Sequence, residues 1–238
     1  MKLLYKRDLE TSSVLSSPEA SVVTPIENLY DTRLSSYVLF VIPVNEVNIH
    51  IEFSELHTVD AVGLAGHNFS ASATISVNGN TPTLLTKVHS VNPFDAITDS
   101  IFDVKITDPG MNPGDARFIG RLEIGDLSPF PDISSSIKVD EISSSTAIMS
   151  DSRQAYGYRR TSYTRISLQF PFVTVAERLH MMDVFKYVDV FTPFFTLMDE
   201  VCINKGTFYG IFEDTKTLAF QFNDAHLYTT SVTISEVF

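Results

Sequence analysis

The sequence predicts a mainly β protein with one helix near residues 175–190, and three observations carry that prediction. Apolar and polar residues alternate with period two in segment after segment, turn-forming residues close those segments, and one stretch switches to helical spacing. The 238-residue chain is 44% hydrophobic, enough for a buried core and too much for a disordered chain. At roughly 100 to 200 residues per domain it makes one large domain or two small ones.

In Val47-Asn48-Ile49-His50-Ile51-Glu52-Phe53 every odd position is apolar and every even one polar. One face of such a strand is buried and the other wet, as in an antiparallel sheet. The pattern recurs at 73–77, where Asn78-Gly79-Asn80 follows as a turn whose glycine takes positive φ at no steric cost. It recurs at 102–106, stopped by Asp108-Pro109-Gly110, and at 118–124, stopped by Gly125-Asp126. Segments 166–170 and 231–235 repeat it.

From Thr174 the period changes. Val175, Leu179, Met182, Phe185 and Val188 step by four or three and form one stripe of a helix, with Glu177, His180, Asp183 and Lys186 on the polar side. Thr174 and Glu177 have capping-box spacing, and Pro193 bars continuation. Between 127 and 150, Ser128-Pro129-Phe130-Pro131-Asp132 and two serine runs interrupt the strands, so 131–150 is expected to be a linker or exposed arm.

Composition excludes several classes. With 17 Lys+Arg against 29 Asp+Glu the net charge is −12, which disfavours a nucleic-acid coat that would neutralise phosphates. The acid excess is concentrated early: 8 basic against 17 acidic residues up to position 135, and 9 against 12 after it. A single cysteine, Cys202, leaves no internal disulfide framework and no cysteine-based zinc cluster; it reads as a buried strand-end thiol. No apolar run approaches the roughly 18 to 20 residues of a membrane helix, so no membrane insertion is expected. The basic start, Met1-Lys2-Leu3-Leu4-Tyr5-Lys6-Arg7, lacks the apolar core of a secretory signal.

Catalytic machinery is not evident, and an enzyme is not expected. The histidines are scattered without metal-binding spacing, and neither a Gly-x-Ser-x-Gly elbow nor a phosphate-cradling glycine loop is present. Asp95, Asp99 and Asp103 match no calcium loop and read as a solvated set, so no metal and no cofactor is expected. His50 and His180 read as wet surface residues. His67 and Asn68, in Gly63-Leu64-Ala65-Gly66-His67-Asn68-Phe69, form a candidate ligand loop, with a histidine that satisfies loop backbone groups as the structural alternative. The one basic stretch mixes guanidinium with aromatic rings: Tyr156, Tyr158, Arg159, Arg160, Tyr163 and Arg165. Such interleaving can track a nucleic-acid strand. In an acidic chain it reads better as a subunit or partner interface, where Tyr and Arg are enriched.

The order of segments resembles a group of tail proteins of tailed bacteriophages. Pro25-Ile26-Glu27-Asn28-Leu29-Tyr30-Asp31-Thr32-Arg33, Val59-Asp60-Ala61-Val62-Gly63-Leu64-Ala65-Gly66-His67-Asn68-Phe69 and Ala116-Arg117-Phe118-Ile119-Gly120-Arg121-Leu122-Glu123-Ile124-Gly125 carry the resemblance, followed by the strand at 164–170 and the helix entered at Thr174. It implies an N-terminal galactose-binding-like jelly-roll β-sandwich at 1–130, the linker at 131–150, and a distal-tail-like, ring-forming β-rich domain at 151–238. It also implies a virion structural protein of a tail tip or baseplate, made in the host bacterial cytoplasm. Its partners would be further copies of itself in a ring and the tube, hub and fibre proteins, with DNA passing transiently. The alternative is a carbohydrate-binding, host-receptor-binding module with a glycan partner. No Trp is present, so a sugar platform would have to be Tyr or Phe.

Overall fold

A computed structural model describes residues 1–6, 9, 13–21, 23–31, 33–41, 45–80, 83–85, 89–110, 112, 114–133, 137–143, 145–149, 155–158, 161–189, 191–198, 207–213, 218–222 and 227–237. The protein is mainly β, with one helix where the spacing predicts it. The chain divides into two compact units. The first holds Met1–Pro129 and Phe194–Tyr209, with Phe238; the second holds Phe130–Pro193 and Gly210–Val237.

The first unit contains β1 (Lys2–Leu4), β2 (Ser13–Ser16), β3 (Val38–Val41), β4 (Glu46–His67), β5 (Thr74–Val77), β6 (Thr83–Leu84), β7 (His89–Thr107), β8 (Ala116–Gly125) and β9 (Ser128–Pro129). Its main sheet runs β3-β8-β4-β7-β5-β6, with β2 also on β4. Long β4 and β7 pair antiparallel from Glu46↔Thr107 to Ala65↔His89, with register shifts between Glu52/His57 and Val59/Ala61. Such irregularities bend a strand and increase its twist. The alternation at 47–53 is realised: Val47, Ile49, Ile51 and Phe53 are buried with Ile75, Val77, Phe102, Val104 and Ile106. His50 stays on the wet face, 2.7 Å from Asp103.

The alternation at 118–124 is not realised as one wet face. Arg121 and Glu123 are both buried. The cause is a second layer: β1 pairs antiparallel with β9 and with β14 (Phe194–Leu197). Phe195 then lies so close over Gly63 that a Cβ there would be 2.8 Å from its ring. Arg121 donates to Glu123 at 2.6 Å and to the Tyr30 carbonyl. A strand covered on both faces can carry polar residues only if they are paired, and these are. The segment Phe194–Tyr209 thus belongs to the first unit, not to the 151–238 domain the sequence implied.

The second unit contains β10 (Lys138–Ile142), β11 (Thr146–Met149), β12 (Ala155–Tyr158), β13 (Tyr163–Val173) and helix α1 (Val175–Val188). After β15 (Thr207–Phe212), which enters this unit at Gly210, come β16 (Gln221–Phe222) and β17 (Tyr228–Glu236). β13 pairs with β10 and β17, and β17 with β16 and the end of β15. Within 131–150, expected to be a linker or exposed arm, Lys138–Ile142 is a strand paired with β13, and Thr146–Met149 pairs with Ala155–Tyr158.

The capping box forms in full at Thr174 and Glu177. The buried stripe of α1, however, is Met181, Val184, Phe185 and Val188. Val175 and Leu179 are exposed, Leu179 at 55%. The two apolar stripes share Phe185, stacked on Phe212 at 4.1 Å, and Val188; they differ in that Met181 and Val184 are buried in place of Val175 and Leu179. His180 consequently sits half-buried, edge-on to Phe130, rather than fully wet.

Candidate functional site

At one end of the first unit the chain leaves β4 through Gly66, whose φ of +62° favours glycine. His67 is turned inward, 5% exposed, beside Phe69, and neither ring nitrogen has a hydrogen-bond partner. Burial, with a smaller contribution from His89, lowers its pKa to about 4. It neither faces solvent as a ligand residue nor satisfies loop backbone groups. Asn68 is exposed, and its Oδ1 accepts from the Phe118 N–H at 2.8 Å. That bond ties the loop to β8 and sets Asn68 beside an aromatic pair that the sequence did not single out. Tyr37, 43% exposed, lies 5.5 Å from Phe118. The Tyr37 carbonyl accepts from Asn28 Nδ2 at 3.2 Å, which steadies the approach to β3.

The neighbouring loop is held by Asp108. Burial works to raise its pKa, but hydrogen bonds from Ser70, Gly110 and Arg117 outweigh burial and hold the carboxyl below the usual range. The Ser70 N–H donates at 2.9 Å and the Gly110 N–H at 3.0 Å. Arg117 and Arg33 each meet a carboxylate, Asp108 and Asp31, so neither guanidinium adds net positive charge. The result is a neutral, polar surface with a tilted Tyr–Phe pair. It can stack the apolar face of a small ring and hydrogen-bond its hydroxyls.

The second unit carries a different surface. A shallow groove of about 440 Å³ is lined by Tyr163, Phe191, Ile211, Phe212, Glu213, Ser235 and Glu236. Phe191 is 83% exposed. Glu213 accepts from Arg165 at 2.8 Å and from Ser235 at 2.5 Å, while Glu236 accepts from the Thr164 N–H at 3.0 Å. Two of the residues expected at an interface, Tyr163 and Arg165, therefore meet at this groove. Tyr156 and Tyr158 lie on β12, but their side chains, and Arg159, Arg160 and Cys202 entirely, fall outside the described residues. Elsewhere on this unit Arg178 stacks on Tyr228 at 4.8 Å and on Phe220 at 5.6 Å, with Phe222 exposed beside Tyr228. No spacing rule brings these residues together, because they come from α1 and from the far end of the chain.

Among the described residues no cluster of three His, Cys, Asp or Glu could hold a metal ion. Nor is any described helix long and apolar enough to cross a membrane.

No family model matches the sequence, and no curated protein matches it significantly. Solved structures similar in shape include a chitosan-binding module of a chitosanase/glucanase from Paenibacillus sp. IK-5, at 18% identity and TM-score 0.39, over 50% of this chain and 97% of that one. A family 32 carbohydrate-binding module of C. perfringens NanJ, in complex with galactose, is similar at 13% identity and TM-score 0.36, over 52% and 97%. A Ruminococcus gnavus GH29 fucosidase in complex with fucose is similar at 10% identity and TM-score 0.38, over 51% of this chain and 26% of that one.

Proposed function

We propose that the chain is a binding protein whose first unit is a carbohydrate-binding module, with the glycan seated on Tyr37 and Phe118 beside Asn68. The observation that carries this reading is the Tyr37–Phe118 pair, Tyr37 exposed and Phe118 half-buried, with the exposed Asn68 held by the Phe118 N–H. A pyranose has an apolar face and a rim of hydroxyls, and an aromatic edge beside a planar amide meets both. Glycan-array screening of the full chain, followed by titration of the best ligand, tests it. Tyr37→Ala should weaken binding roughly tenfold, about 1.4 kcal/mol, with its melting curve unchanged, whereas Asn68→Ala should weaken binding and also lower the melting temperature, since it removes the bond to the Phe118 N–H. An array without signal, or a Tyr37→Ala variant that binds like the parent, overturns it.

A second reading is favoured by the exposed apolar residues of the second unit, Phe172, Val175, Leu179, Phe191 and Phe222. Among the described residues the exposed large aromatics are Phe172, Tyr187, Phe191 and Phe222 on this unit against Tyr37 on the first, and aromatic residues are enriched at contact surfaces. On this reading the chain is a structural subunit of a bacteriophage tail tip or baseplate. It assembles with copies of itself and with tube, hub or fibre proteins, and the resemblance in segment order supports it. Purified virions probed with an antibody to the chain test that role, and its absence from them overturns it.

A further inference from the structure

Arginine pairing sets one side chain of the second unit apart. Among the described residues Arg33 meets Asp31, Arg117 meets Asp108, Arg121 meets Glu123 and Arg165 meets Glu213. Arg178 meets no described carboxylate, although the chain carries a net charge of −12. Its neighbour on α1, Glu177, is taken up by the capping box at Thr174. Aromatic side chains hold the half-buried guanidinium instead, 4.8 Å from the Tyr228 ring centre and 5.6 Å from that of Phe220, with Nη1 donating to the Tyr228 hydroxyl at 3.1 Å. Stacking of this kind fixes the plane of a guanidinium without using up its donors. Nε is shielded from water and has no acceptor, so the chain supplies a donor and not its partner. Phe222, 61% exposed and 5.5 Å from Tyr228, adds an uncovered apolar side chain to the same cluster.

We propose that Arg178, with Tyr228 and Phe222, is a second binding site, for a sugar that bears a carboxylate, such as a uronic acid residue. A guanidinium takes a planar carboxylate through charge-assisted hydrogen bonds, and flanking rings that exclude water strengthen the pair. The apolar face of the pyranose then rests on Phe222. Charge limits the ligand to few carboxylates. A chain of net charge −12 repels a polyanion, so an acidic residue at the end of a neutral glycan fits better than an acidic polymer. The ligand class rests on the carbohydrate reading above, whereas the site lies on the second unit and stands on Arg178.

Methyl β-glucuronide and methyl β-glucoside, which differ only in the carboxylate, are titrated into the full chain and followed by NMR. The glucuronide should bind roughly tenfold more tightly, and the Arg178 Nε–H resonance should shift with it. Arg178→Met keeps an aliphatic stem beside the rings without the charge, and Phe222→Ala removes a mostly exposed ring; each should weaken glucuronide binding roughly tenfold. Melting curves verify folding, and Phe222→Ala decides the matter if Arg178→Met does not fold. Equal affinities for the two sugars, or glucuronide binding that survives both substitutions, overturn the site. Shifts confined to β3 and β8 place the acidic sugar at Tyr37, which overturns the second site while the carbohydrate reading stands. An N-acetylglutamate amide, a carboxylate without the sugar ring, that binds as tightly as the glucuronide overturns the sugar class. A silent glycan array beside glucuronide binding at Arg178 overturns the first-unit reading and leaves this site standing.

Discussion

Acid should loosen the first unit through one side chain. His67 has an ordinary pKa of 6.5 when the chain is unfolded, and burial lowers it to about 4 in the fold. As pH falls, the unfolded chain takes up the proton first. The stability associated with the neutral, buried ring is therefore complete above about pH 6.5 and is lost as pH falls toward 4. The difference of about 2.5 units corresponds to roughly 3 kcal/mol, with a slope near 1.2 kcal/mol per pH unit around pH 5.5. Carboxylates titrate over part of this window, so the comparison is with His67→Phe, which keeps an apolar ring and removes the proton site. Urea unfolding of both proteins between pH 7.5 and 4.5, followed by amide exchange in β4 and β8 so that the two units are read separately, gives the difference in slope. Histidine proton NMR locates the titration directly. Parallel stability curves, or a His67 resonance titrating near 6.5, would show that the ring is not held buried as described.

Three further outcomes follow from packing. Glu123→Ala leaves the Arg121 guanidinium in a site only 2% exposed with its carboxylate gone, and should cost about 3 to 5 kcal/mol in denaturant titrations. Replacing both by Met and Leu should recover much of that loss. Gly63→Ala drives a methyl to 2.8 Å from the Phe195 ring and should cost about 1 to 3 kcal/mol. Adding Phe195→Leu should relieve part of the strain, and a neutral Gly63→Ala would mean that Phe195 does not lie over β4. On α1, Phe185→Ala should cost about 3 to 5 kcal/mol, since Phe185 is 9% exposed and stacked on Phe212, whereas Leu179→Ala should cost under about 1 kcal/mol. A Leu179→Ala cost of about 2 kcal/mol or more in thermal melts would restore the stripe that the sequence spacing favoured.

Elements were legible wherever a local rule applied. Alternation located β4, β5, β7, β8, β13 and β17, and the Thr174–Glu177 box located the start of α1 to the residue. Partners were less legible. At 118–124 alternation implied a wet face, but Arg121 and Glu123 are covered by a layer that includes β14, some 70 residues downstream. On the helix, two apolar stripes sharing Phe185 and Val188 were both available, and tertiary packing buried Met181 and Val184 rather than Val175 and Leu179. The candidate site was half legible. Asn68 and the Tyr163–Arg165 end of the basic stretch reappear at surfaces. Tyr37 and Phe191 gave no signal, because an aromatic residue bound for the surface looks in sequence like one bound for the core, and Phe118 was read only as an apolar position of the 118–124 strand.

The amino-acid sequence by itself determined the secondary structure and the charge: strand period, helix cap, turn positions and an acid excess concentrated before residue 135. These depend on neighbours within a few residues, or on no geometry at all. Tertiary structure alone decided which strand faces would be doubly covered, which helix stripe would be buried, that Phe194–Tyr209 returns to the first unit, and which aromatic residues remain exposed. Each of those depends on contacts between residues tens of positions apart, and side-chain packing, not local propensity, sets their outcome.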